Sequence, residues 1–180
     1  MLITIIVLAV LAFWIIATYN AFIRGANEIK NAWGQISVQL KRRHELIPNL
    51  VECVKGYMQY EKETLEKVIE ARNQALNAKD VRDSVAAENK LTSSLHGLLA
   101  VVERYPELKA NANMLSLQEE LTSTENNVAF ARQHYNDSIL SFNTRCESFP
   151  SVIIAKLLSF KPYECFQVSE AEQAAPEVKF

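Results

Sequence analysis

The stretch LITIIVLAVLAFWIIATYNAFIRGANEIKNAWGQISVQLKRRHELI, Leu2 to Ile47, decides the fold, because it changes its expected surroundings part-way along without a helix-breaking residue. Its first part, Leu2 to Thr18, is apolar, and the first charged side chain after the amino terminus is Arg24. About 17–25 such residues cross a bilayer core, a length reached when Tyr19 to Ile23 lie in the interface. The expected transmembrane set is therefore Leu2, Ile6, Leu11, Trp14, Thr18 and Tyr19, with Trp14 and Tyr19 suited to the headgroup zone, where amphipathic rings concentrate. Farther on, Ala26, Ile29, Trp33, Ile36 and Leu40 recur at the spacing of one helical face. No proline interrupts the run, and glycines such as Gly25 and Gly34 cost a helix only about 1 kcal/mol each. Span and stripe read as one helix of about 45 residues, roughly 65–70 Å long by helical rise. A cleaved signal peptide fits less well: no Lys or Arg precedes the apolar run, and no small-residue cleavage site follows it.

Working outward, the prolines Pro48, Pro106, Pro150, Pro162 and Pro176 divide the rest, since proline breaks helix interiors. The first helix is expected to end near Ile47. A second runs from Pro48 and Asn49 to Asn77 with the stripe Leu50, Val51, Val54, Met58, Leu65, Val68 and Ile69. A third runs from Asp80 to just before Pro106 and carries Val81, Val85, Leu91, Leu95, Leu98 and Val102. A fourth, Leu115 to Phe149, carries Leu117, Leu121, Thr124, Val128, Ala131, Tyr135, Ser138, Phe142 and Cys146 at steps of four and three, the pattern of bundle or coiled-coil packing. Ser151 to Phe160 reads as a short helix that covers one end of the bundle or docks on membrane or a neighbouring subunit. The tail has the composition of a flexible end. Short connections favour antiparallel neighbours, so the fold class is all-α: an antiparallel up-and-down bundle of four long helices, the first continuous with the span. The domains are 1–23 (anchor), 24–149 (bundle), 150–168 (short apolar helix) and 169–180 (tail).

A formal net charge of -2 gives no reason to expect nucleic acid as a partner. Arg24, Lys30, Lys41, Arg42 and Arg43 follow the span, and only the terminal amine precedes it. The positive-inside rule then places the amino terminus outside and the bundle in the cytoplasm. Cys53, Cys146 and Cys165 form no CxxC pair and fit a reducing compartment. Cys53 and Cys146 fall on apolar faces, as small buried hydrophobes do.

Motifs for chemistry are missing from the sequence. His44, His96 and His134 have no second His or Cys one helical turn away, as a helical zinc site requires. There is no GxGxxG, GxxxxGK[ST] or GxSxG, and no Glu-x-x-His of the di-iron bundles. Catalytic, cofactor and metal residues are accordingly expected to be none. The sharpest candidate is the basic run Lys41, Arg42, Arg43 and His44. On a straight helix it stands about 30 Å beyond the interface by helical rise, well past a Debye length of about 8 Å, so the run cannot grip the chain's own membrane. It either binds an acidic partner or satisfies helix-end carbonyls while pairing with Glu45 and Glu52. Asn20 with Asn27, and Asn136 with Asn143, share heptad spacing, which either sets register or flanks the stripe.

The strings Ala32-Trp33-Gly34-Gln35-Ile36 and VQLKRRHELIPNLVECVKGYMQYEKETLEKVIEAR (Val38 to Arg72) resemble the LemA family. So do Arg104-Tyr105-Pro106-Glu107-Leu108-Lys109-Ala110-Asn111, Leu117-Gln118-Glu119-Glu120-Leu121, Glu125-Asn126-Asn127, Ala131-Arg132, Tyr135-Asn136 and Phe149-Pro150. The resemblance extends from Tyr19-Asn20 to about Phe166; His44-Glu45 stands where many members carry Tyr or His followed by Asp. It implies a membrane-tethered helical bundle with a long first helix, no enzymatic activity, and a place in the bacterial inner membrane. Some members look like bacterial envelope proteins linked with a membrane metalloprotease or with organelle membranes. The expected function is a non-enzymatic scaffold that forms homo-oligomers at the lipid bilayer and presents a helical surface, with Ile153, Ile154, Leu157 and Leu158 as a candidate contact. The alternative is an adaptor or regulator of a membrane protease or another envelope protein.

Overall fold

The computed structural model describes residues 1–58, 61–78 and 80–164, and among these the regular structure is helical, without strands. The elements are α1 (Leu2–Lys55), α2 (Lys62–Asn77), α3 (Val81–Val102), α4 (Pro106–Lys109), α5 (Ala112–Glu147) and α6 (Ser151–Leu157). Cys165, the tail 169–180 and the last part of the 150–168 segment lie outside the described residues. The chain forms two compact units, one of Met1–Gln35 with Phe130–Phe180 and one of Ile36–Ala129.

The expected break at Pro48 is corrected: α1 continues through it to Lys55. Proline removes one helix hydrogen bond and crowds the carbonyl four residues back, here that of His44. That carbonyl accepts instead from Arg72 Nε of α2 at 2.8 Å. The stripe also continues past the proline, with Ile47, Leu50 and Val54 fully buried. Each such side chain contributes about 1.5–3 kcal/mol on burial, enough to hold the helix across one lost bond. The break falls instead at Gly56 and Tyr57, where the Tyr57 and Met58 amides both turn back to the Val54 carbonyl at 3.0 Å.

In the second unit these α1 residues pack with Leu65 and Val68 of α2, Leu91, Leu95 and Leu98 of α3, Leu108 of α4 and Met114 of α5. The starts of α3 and α5 are capped by short polar side chains, which satisfy orphan amides. Asp80 accepts from the Asp83 amide at 2.8 Å, and Asn111 Oδ1 accepts from Asn113 at 2.9 Å and Met114 at 3.3 Å. Lys109 and Glu103 pair beside α4.

In the first unit, α1 meets α5. Phe22, Ile29 and Ala32 are buried, as are Tyr135, Ile139 and Phe142. Trp33 packs on Tyr135 with ring centroids 5.7 Å apart. A side chain at Gly25 would bring its Cβ to 3.0 Å from Phe142 Cδ2, so glycine permits the close approach. Within the same turn the Ala21 carbonyl accepts from Arg145 Nη1 at 2.5 Å. Of the nine stripe positions expected on the fourth helix, all but Leu117 and Ala131 are buried, and those two are half-buried.

Candidate functional site

The basic run on α1 divides by helical phase. Lys41 and Arg42 are exposed, whereas Arg43 and His44 fall on the buried stripe that Ile36, Leu40 and Ile47 define. Lys41 pairs with Glu45 across the surface at 3.9 Å. Exposed pairs of this kind contribute little. Inside the second unit the other two residues build a polar centre. Glu88 of α3, 2% exposed, holds both: its Oε1 lies 2.6 Å from His44 Nε2, and its Oε2 lies 3.4 Å from Arg43 Nη1. Arg43 Nη2 donates to Thr92 Oγ1, one turn farther along α3, at 2.9 Å. Arg72 of α2 completes the set through the His44 carbonyl.

Sequence reading missed Glu88. The signal was the gap in the α3 stripe between Val85 and Leu91, which helical spacing must fill with the residue at 88. Removing charges from water is costly unless they are paired and hydrogen-bonded. The centre meets most of that requirement, but Arg43 Nε and Gln39 Oε1, one turn apart on α1, are buried without a hydrogen-bond partner. Within it, three helices each contribute a group whose partner stands on another helix.

The remaining candidates are dispersed. The His96 ring is exposed and lies 4.0 Å from Glu125, and His134 is exposed. Among the described residues no three His, Cys, Asp or Glu side chains are placed to hold a metal ion. Two shallow surface depressions, one along α5 at Gln118 and Thr122 and one between α2 and α3 at Gln74 and Lys90, are open to solvent. Asn143, half-buried beside the stripe residue Phe142, clasps the Tyr163 backbone, accepting from the amide and donating to the carbonyl, each at 2.8 Å.

In the first unit the apolar end of α1 is uncovered. Leu2, Ile6, Leu11 and Tyr19 are exposed and Trp14 and Thr18 half-buried, and this helix alone among the described residues is long and apolar enough to cross a membrane. The α6 set divides as the basic run does. Ile154 is buried, whereas Ile153, Leu157 and Leu158 are exposed. Burial also pushes the Cys146 thiol up from its ordinary value, Glu147 adding to the effect and Arg145 opposing it.

Comparison with known proteins gives a consistent result. The family model of the LemA family matches residues 32–180. Protein LemA of Metamycoplasma hominis is 28% identical over 170 residues, covering 94% of this chain and 78% of that protein. The magnetosome protein MamQ 2 of Paramagnetospirillum magneticum is 23% identical over 198 residues, covering 94% of this chain and 73% of its own. The magnetosome protein MamQ of Magnetospirillum gryphiswaldense is 22% identical over 199 residues, with 95% and 73% covered. None of these names denotes an enzyme.

Proposed function

This chain belongs to the LemA family, and on that premise we propose that it is a membrane-anchored, non-enzymatic scaffold that self-associates at the membrane and presents a helical surface to other proteins. One observation carries the reading. The exposed apolar segment and the α1 wall of the first unit are one unbroken helix, with no turn between Leu2 and the buried residues Phe22, Ile29 and Ala32. A flexible tether would let the first unit tumble; a shared helix fixes it against the span. Copies held in one plane then meet at raised effective concentration, and weak contacts suffice to build closed assemblies. The charge asymmetry around the span supports a bacterial inner-membrane location, with the amino terminus outside and the folded part in the cytoplasm.

The test is mass photometry of the full-length chain in detergent and in nanodiscs, beside a chain that begins at Thr18 and so keeps Tyr19 and Phe22 in the first unit. Homomeric particles from the full-length chain, reduced to monomers in the shortened one, support the scaffold. A monomer under every condition overturns it. Stoichiometric co-purification of a membrane protease with monomeric chain favours the adaptor reading instead.

A further inference from the structure

We infer that the outer face of α6 is a second membrane contact, with Ile153 and Leu157 inserted among lipids at the boundary where α1 leaves the bilayer. This rests on the membrane reading of α1 and extends it to a different part of the chain.

The helix has two unlike faces. Ile154 and Ala155 are buried, while Ile153 is 54% and Leu157 75% exposed, one turn apart on the opposite side. Phe149 before the helix and Leu158 after it are exposed too. Leaving four large apolar side chains exposed on so short a segment is unusual for a surface with no partner.

The position of α6 along α1 identifies that partner. Ser159 takes the left-handed conformation, with φ 57°. The chain there reverses through hydrogen bonds from the Ser159 amide to the Lys156 carbonyl at 3.3 Å and from the Phe160 amide to the Ala155 carbonyl at 2.9 Å, a standard helix C-terminal turn. The turn delivers Phe160 onto α1. Its ring stacks on Phe22 with centroids 4.7 Å apart and lies 6.2 Å from Tyr19. Asn143 then secures the following segment at Tyr163. From Leu2 to Ile23 the helix rises about 33 Å, against a hydrocarbon core of about 30 Å. Tyr19 and Phe22 therefore mark the boundary, and the end of α6, bonded through Ala155 to Phe160, is held beside them.

Exposed apolar side chains also stand on α1 where Phe160 meets it: Tyr19, beside the Phe160 ring, and Ile23 are themselves exposed. A second copy covering α6 would have to cover lipid-facing positions of the span as well, whereas lipid covers both. Lys156 and Lys161, both exposed, are placed for their ammonium groups to reach headgroup phosphates while their stems lie on apolar surface.

The test uses the full-length chain in vesicles of phosphatidylethanolamine and phosphatidylglycerol, with the photoreactive residue p-benzoylphenylalanine in place of Leu8, Leu157 or Glu66 in separate preparations. Mass spectrometry is expected to show lipid adducts at positions 8 and 157 and none at 66; position 153 serves if the chain altered at 157 misfolds. Lipid adducts at 8 with a cross-linked dimer at 157, or with no adduct there, overturn this inference and leave the anchor reading intact. Loss of lipid adducts at 8 overturns both.

Discussion

Glu88 ties α3 to α1 inside the second unit. Its two oxygens meet Arg43 and His44, and none of the three is more than 6% exposed. Removing one partner from a buried pair strands the other, at a cost of about 3–5 kcal/mol; replacing both with apolar residues of similar volume is often neutral or stabilising. We expect Glu88→Gln to lower unfolding free energy by about that amount and Arg43→Met with Glu88→Leu to restore most of it, read by urea denaturation followed by circular dichroism. Full loss in the double variant would mean that the charges do more than hold the helices. Cys146 gives a second expectation. Its raised pKa means that the folded state holds the thiol proton more tightly, so its contribution to stability is complete below the ordinary value of 9.0 and is lost as pH climbs through the folded value. In alkylation mapped by mass spectrometry, half-buried Cys53 should react well before buried Cys146; equal rates would refute the burial of that thiol. The polar centre was only half legible in the sequence. Extending Ile36 and Leu40 by helical steps reaches Arg43 and His44, but their partner lies 45 and 44 residues away. A charge on an apolar series reads as the end of a stripe until its partner is known.

At the scale of elements, α1 shows where sequence rules fail and why. Proline reads as a terminator because it lacks an amide hydrogen, which is a local argument. The compensation is not local: Arg72, from another helix, takes the carbonyl that Pro48 leaves open. The coupling can be measured. Arg72→Ala in the natural sequence should cost about 1–3 kcal/mol by leaving that carbonyl unsatisfied. In a Pro48→Ala background, where the substituted residue supplies a backbone amide that takes over the bond, the same change should cost clearly less. A double-mutant cycle that gives no coupling would sever the proposed link. Elsewhere sequence rules served well. The α3 start at Asp80 was legible because a short acceptor precedes an apolar series. So was the α5 stripe, because a heptad series needs no knowledge of its partner.

At the scale of the molecule, the all-helical class, the apolar opening helix and the family were legible, each carried by long periodic or motif-dense stretches. The division into two units was not, because it depends on which distant segments meet. Orientation is open to direct measurement. In inverted inner-membrane vesicles, added trypsin should cut the exposed segment around Lys62 and Lys67. In right-side-out spheroplasts the same segment should be protected. Cleavage only in spheroplasts would reverse the orientation.

The make-up of the two units also carries a consequence for biosynthesis. The second is drawn from one uninterrupted run, whereas the first joins the opening of the chain to residues beyond Phe130. Translation delivers these in sequence. If α1 spans a membrane as proposed, its apolar opening is taken up by the insertion machinery long before its packing partners exist. The contiguous unit is free to form while synthesis continues, and the aromatic cluster at Phe22 closes only after the ribosome has released residue 160.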